Sequence, residues 1–175
     1  KKWCLWFIKL FNFRNNYLYD KEKTLVVEKF LKKSGISDIS LIMKAARNVL
    51  QVLNQIYDDS KIWCFCGSGN NAADGIFLSI LVSLEGKDVT IIKLGNFEKQ
   101  DRIFLNLIEN LNIKIINKIP KSKEIFSNDI IIDSILGIGI NRKPDNIIKD
   151  AIRFINLKKK YGPKVISIDL PSGLD

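Results

Sequence analysis

The 175-residue chain contains no histidine. That absence removes Ser-His-Asp chemistry, histidine general bases and most zinc sites before any motif is considered. Cysteine is scarce as well. Cys4, Cys64 and Cys66 cannot all pair, and the last two stand on one face of a predicted strand, too close for comfortable bridging. As a metal half-site they lack partner cysteines and histidines, so they read as small buried apolar residues of a protein in the reducing cytoplasm. No apolar run is long enough to span a bilayer. The segment Lys1 to Arg14, with Trp3, Trp6, Phe7, Phe11 and Phe13, is too short, is interrupted by Lys9 and Asn12, and has no small-residue cleavage site. Residues 1–19 are therefore expected to form an N-terminal arm that packs on the domain or contributes to a homodimer, with no membrane association. The chain opens on lysine rather than methionine, so its natural start is expected upstream.

Acidic residues are outnumbered, 19 against 28 Lys and Arg, giving a formal net charge of +9. Such a balance suits a phosphate-bearing partner. Lysine, isoleucine and asparagine are nevertheless used throughout, including at plain surface positions, as coding bias would produce. Lys158-Lys159-Lys160 reads as a solvated helix end, and basic residues are not interleaved with aromatics, so nucleic acid is not an expected partner. With 46% apolar and 27% charged residues, the chain describes one globular domain with a core of ordinary size.

Two helical patterns come first, a short one around Leu25, Val26, Lys29 and Phe30 and a longer one through Ile39, Ile42, Met43, Ala46, Val49, Leu50 and Leu53, with Ser37 and Asp38 offering an N-cap between them. Strands and helices then alternate. Strands are predicted over 61–66, 88–94, 113–117, 129–135 and 164–170, and helices over about 73–85, 98–111 and 144–157, with a polar turn at 118–124. Near-continuous apolar strands such as Asp129-Ile130-Ile131-Ile132-Asp133 require burial on both faces. The fold class is therefore α/β, a doubly wound, Rossmann-like parallel sheet with helices on both faces, preceded by N-terminal helices. Its usual order sets the first strand beside the fourth and the fifth next to that.

In such sheets ligands sit beyond the carboxyl ends of the strands where the order reverses. Three segments should meet there: Gly67 to Gly75, Asp133 to Lys143, and Asp169 to Asp175. The first, Cys66-Gly67-Ser68-Gly69-Asn70-Asn71-Ala72-Ala73-Asp74-Gly75, joins a strand to a helix with the glycines needed for a sharp turn and is expected to cradle a phosphate. It formally satisfies the dinucleotide pattern G-x-G-x-x-G/A. That fingerprint also wants an acid ending the second strand, and Lys93-Leu94-Gly95-Asn96 supplies none, which argues against an ordinary dinucleotide oxidoreductase. No G-K-[ST] follows the glycines, so a P-loop is excluded.

Three motifs together, Cys-Gly-x-Gly-Asn-Asn-x-x-Asp-Gly from Cys66, Ile-Ile-Asp-x-x-x-Gly-x-Gly from Ile131 and Ile-Asp-x-Pro-Ser-Gly-Leu-Asp from Ile168, resemble the NAD(P)H-hydrate epimerase family, the YjeF N-terminal domain. The resemblance covers roughly residues 20–175, with Ile42 to Arg47 similar to the family's N-terminal helix motif. It implies repair of hydrated nicotinamide cofactors: the R and S epimers of NAD(P)HX are interconverted at C6, and a partner NAD(P)HX dehydratase acts on S. It also implies substrate contacts from Asn70, Asn71, Ala72, Ala73 and Asp74, from Gly137, Ile138, Gly139, Ile140, Asn141, Arg142 and Lys143, and from Asp169. A potassium ion would be held by Asn71, Asp133 and Ser172, whose amide, carboxylate and hydroxyl oxygens are hard ligands. Taken singly, Asp133 also reads as a strand-end residue bonded to neighbouring amides, and Ser172 as a turn cap after Pro171.

Inversion at C6 needs a proton donor and acceptor, and without histidine the carboxylate of Asp169 leads as catalytic acid/base. The sequence departs from the family pattern in two ways: the usual Asn-Asn-Gly-Gly-Asp-Gly reads Asn70-Asn71-Ala72-Ala73-Asp74-Gly75, and the chain stops at Asp175 where the family continues into further strands. Weakened activity is expected from both. If the alanine positions need positive φ or bare backbone, each methyl crowds the site; if they lie in the helix, alanine stabilises it. The alternative function is a degenerate, non-catalytic nucleotide-binding or scaffold module of the same fold.

Overall fold

The computed structural model describes residues 21–98, 100–137 and 144–173. The arm at 1–19 with Cys4, and the loop Ile138, Gly139, Ile140, Asn141, Arg142 and Lys143, lie outside the described residues. Element order is α1 (Lys21–Lys33), α2 (Asp38–Ile56), β1 (Ile62–Cys66), α3 (Asn70–Leu84), β2 (Val89–Lys93), α4 (Arg102–Asn110), β3 (Lys114–Ile116), β4 (Ile130–Ser134), α5 (Asn146–Lys158) and β5 (Lys164–Ser167). Short 3₁₀ turns interrupt the polar turn at Ser122–Glu124 and follow α5 at Lys159–Tyr161.

All five strands are parallel, in the order β3-β2-β1-β4-β5. The first strand thus lies beside the fourth and the fifth beside that, as the alternating sequence pattern predicts. Register pairs Ile62 with Val89 on one side and with Ile130 on the other, so β1 is central. Strand periodicity divides its side chains: Ile62, Cys64 and Cys66 enter the core shared with α2, α3 and α4, whereas Trp63 and Phe65 enter the core shared with α5. Both faces are therefore covered, and Ile130, Ile131 and Ile132 are fully buried, which is why β4 is apolar without alternation.

The helix starts follow their caps. Ser37 caps α2, its hydroxyl accepting from Ser40 N at 3.2 Å, and Asp101 and Asp145 cap α4 and α5 through Ile103 N and Ile148 N. The cap of α3 is Gly69, whose carbonyl accepts from Ala72 N (3.0 Å) and Ala73 N (3.3 Å). This helix begins at Asn70, three residues before the sequence-based expectation of 73, because a glycine cap carries no side-chain signal. At the other end, β5 stops at Ser167 rather than 170, since Asp169 turns into the left-handed region with φ +69°. Such a conformation ends a strand, and Asp is among the few residues that tolerate it.

Cys64 and Cys66 are free and buried, their sulfurs 3.6 Å apart. The hydrogen bond to Cys64, with burial, holds the Cys66 thiol well above the ordinary thiol range. Among the described residues, no helix is long and apolar enough to cross a membrane.

Candidate functional site

The carboxyl ends of β1, β4 and β5 bring the three expected segments into contact. Gly67 N donates to Ser134 O at 3.2 Å, and a Cβ on Gly67 would lie 2.2 Å from Ile135 O, so a side chain here would displace the backbone after β4. Gly75 fits against Ser134 and Cys64 in the same way, which lets α3 settle onto the strand ends. The Ser134 hydroxyl donates to Asn71 O and fastens the first turn of α3 to β4.

Asp133 is almost wholly buried and takes four hydrogen bonds. Its Oδ1 accepts from Ser172 Oγ (2.6 Å) and Ile135 N (3.3 Å), and its Oδ2 from Ser172 N (2.8 Å) and Ser167 Oγ (3.2 Å). Burial pushes the carboxyl above the usual range, while the bonds from Ser172, Ile135 and Ser167 pull it back without cancelling the effect. Asp133 is thus the bonded strand-end residue and Ser172 the turn residue that each suggested singly, but bonded to each other.

Leu136 links this cluster to the helix. Its N–H donates to Ser172 Oγ (3.0 Å), and its carbonyl accepts from Asn71 Nδ2 (2.9 Å). Asn71 is buried, its amide nitrogen is spent on that bond, and among the described residues its Oδ1 has no hydrogen-bond partner. A buried acceptor without a donor costs about 1–3 kcal/mol, the mark of a site built for a further group. Gly137 follows: a Cβ there would lie 2.6 Å from Asp169 Oδ2 and 3.3 Å from Asn71 Cβ. Asn71, Asp133, Gly137, Asp169 and Ser172 are therefore neighbours, as the sequence predicts.

The remaining expected residues divide. Ser68, Gly69 and Asn70 are exposed, and with Ala73, Asp74, Gln100 and Ile42 they line a cleft of about 470 Å³ between the glycine loop, α1 and α2. Ala72 is fully buried and belongs to the core, so of the two alanines only Ala73 borders the cleft. Neither has a positive φ, and both lie in the first turns of α3, where alanine is favoured. Sequence reasoning missed Gln100, Ser134 and Ser167. Ser134 adjoins Asp133 on the opposite face of β4 and was legible from strand alternation, whereas nothing in the sequence marks Gln100.

The family model described as YjeF-related protein N-terminus matches residues 38–175. The chain belongs to this family. A relative named NAD(P)H-hydrate epimerase from Levilactobacillus brevis is 30% identical over 158 residues, covering 90% of this chain and 69% of its own. A second of that name, from Entamoeba histolytica, is 29% identical over 163 residues, covering 91% and 70%. The relative named bifunctional NAD(P)H-hydrate repair enzyme Nnr from Dictyoglomus turgidum is 33% identical over 155 residues and 85% of this chain, which spans only 29% of that longer protein. The crystal structure of the yeast protein YNL200c superposes with a TM-score of 0.76 at 16% identity, covering 88% of this chain and 70% of its own, and shares the YjeF-related fold.

Proposed function

We propose that this YjeF-related chain is an NAD(P)H-hydrate epimerase, interconverting the R and S forms of NAD(P)HX for a dehydratase that acts on S. The observation that carries the reading is the convergence of Asn71, Asp133, Gly137, Asp169 and Ser172 at one place, with a buried oxygen of Asn71 left for a further ligand. The names of the relatives support the same activity.

The donor set suits potassium. Asn71 Oδ1 has an open acceptor position; Ser172 Oγ, which donates once and accepts once, has another; and Asp133 supplies negative charge behind them. Bound there, the ion would offset the Asp133 charge and favour the approach of anionic phosphates. The chain's own residues do the rest. The exposed turn Ser68 to Asn70 and the first amides of α3 face the phosphates, and the cleft beside Ala73 and Asp74 receives the remainder of the nucleotide. Asp169, held in a left-handed turn against Gly137, presents its carboxyl at the meeting point of the three segments.

In this reading Asp169 passes a proton from solvent to the C6 hydroxyl and the C–O bond breaks. The hydroxyl leaves as water while the ring nitrogen shares the positive charge. Water then returns on the opposite face of C6 and yields a proton to solvent, which replaces the one Asp169 relayed, so the carboxyl ends as it began. The methyl of Ala73 narrows the cleft, which is where we expect any weakening of activity relative to a glycine to arise. The free, buried thiols fit a reducing compartment, and we assign the chain to the cytoplasm.

Incubation with R-NADHX followed by chiral separation tests the activity, with S-NADHX as the expected product. Asp169→Asn is expected to lower turnover at least about 100-fold while still binding ligand. Binding of the nucleotide without any epimerisation by the unaltered chain would replace the enzyme with the non-catalytic binding module. Potassium is expected to raise the melting temperature above that in sodium or choline at equal ionic strength, and Asn71→Ala to abolish the difference.

A further inference from the structure

We infer that Gln100 is a positioning residue that fixes the ligand-facing loop through the carbonyls of Ser68 and Gly69, an assignment that rests on the nucleotide site proposed above. Gln100 belongs to the connection after β2, the place where an ordinary dinucleotide fold offers a carboxylate to the ribose. Here the same corner is turned onto the loop instead. Leu94 N donates to Cys66 O at 2.9 Å, and Gly95 lies so close that a Cβ would meet Ser68 Cβ at 2.8 Å. Gln100, only 8% exposed, then donates Nε2 to Ser68 O at 3.3 Å and to Gly69 O at 3.4 Å.

A side-chain amide nitrogen has two hydrogens, matching two successive carbonyls. The match matters because a loop that receives an anion must turn its N–H groups toward it, and an unheld carbonyl is free to swing the other way. The Gly69 carbonyl is the pivotal one, since it also accepts from Ala72 N and Ala73 N and so governs where α3 begins. The holder is itself firmly based: Gln100 N donates to Phe97 O (2.9 Å), and the next residue, Asp101, caps α4 through Ile103 N (2.8 Å). Gln100 borders the cleft, but its two side-chain bonds go to the loop carbonyls and to none of Asn71, Asp133, Asp169 or Ser172, so through them it acts on the site by way of the loop.

Gln100→Leu removes both donors at similar volume, and Gln100→Glu places acceptors opposite the two carbonyls. The first readout, on the chain without ligand, is amide hydrogen exchange by NMR. Exchange at Ala72 and Ala73 is expected to rise about tenfold in both variants while β1 and β4 amides keep their rates, the signature of local rather than global opening. The second is kinetic: kcat/KM for NAD(P)HX is expected to fall about tenfold in both variants, in step with the rise in exchange, because a loosened loop weakens binding of the anion. Unchanged exchange at Ala72 and Ala73, or a uniform rise across the sheet, would overturn the assignment. Absence of turnover in the unaltered chain would overturn the epimerase reading alone, since the exchange result is read without substrate.

Discussion

On the β1 side of the site the chain works with backbone. Gly67 and Gly75 clear space for Ile135 O and Ser134, Gly69 begins α3, and the exposed residues Ser68 to Asn70 border an open cleft. On the β4–β5 side it works with side chains: Asp133 is saturated by four donors, two of them from Ser172, and Leu136 passes the connection on to Asn71. The first wall owes its form to missing atoms and, at Gly67 and Gly75, tolerates nothing added. The second owes its form to polar atoms that satisfy one another and tolerates nothing removed.

The sharpest break of that contrast is Gly67→Ala, where the added carbon would stand 2.2 Å from Ile135 O. A cost of about 3 kcal/mol or more is expected, from moving backbone in a packed site. Gly69→Ala, with nothing within 4 Å of its Cβ, is expected to cost under about 1 kcal/mol. Urea denaturation of the pair measures both, and equal losses would contradict the distinction between a crowded and an open glycine. Next comes Asp133→Ala, expected to cost about 2–4 kcal/mol by stranding the donors of Ser167, Ser172 and Ile135. Asp133→Asn should recover only part of that, since its NH₂ faces donors; full recovery in the same assay would show that neither the charge nor the second acceptor oxygen organises this wall.

Smaller effects follow from the helix start. Ala72→Gly and Ala73→Gly are each expected to lose roughly 1 kcal/mol, because both residues are helical. A gain in stability at either would mean that bare backbone is wanted there. The smallest concerns the strand beneath the loop. With its thiol raised and buried, Cys66 is expected to resist iodoacetamide in a Cys4→Ser background until the chain unfolds, as mass spectrometry would record. A thiol raised by folding stabilises fully below its ordinary titration range and loses that contribution as pH climbs through the raised value. The difference in urea midpoint between the chain and Cys66→Ala is therefore expected to decline on the alkaline side alone.

Much of this was legible beforehand. Apolar strands without alternation announced a sheet covered twice, and placing three oxygen-rich segments after β1, β4 and β5 predicted that they meet, while the family resemblance singled out Asn71, Asp133 and Ser172 within them. What the sequence hid was set by the backbone. The consequence of Ala72 and Ala73 turned on whether α3 starts at 70 or 73, and a glycine cap gives no side chain from which to read it. The strand expected to run to 170 ends at Ser167 because of one positive φ at Asp169, which an aspartate does not advertise. Gln100 was invisible for another reason: its partners are main-chain carbonyls, and any loop possesses those.

The parallel pairing of β1 with β4 also bears on how the protein acquires its site. Ile62 must find Ile130, and everything between them, including β2 and β3, must already be routed to one side. Such non-local closure is slow to gain its reward, since the entropy of a long loop is lost before the contact forms. The glycine loop is made before Asp133, and Asp133 before Ser172. A nascent chain therefore carries the glycine turn before the residues that complete the cluster of Asn71, Asp133 and Ser172, and that cluster forms only once the sheet has closed.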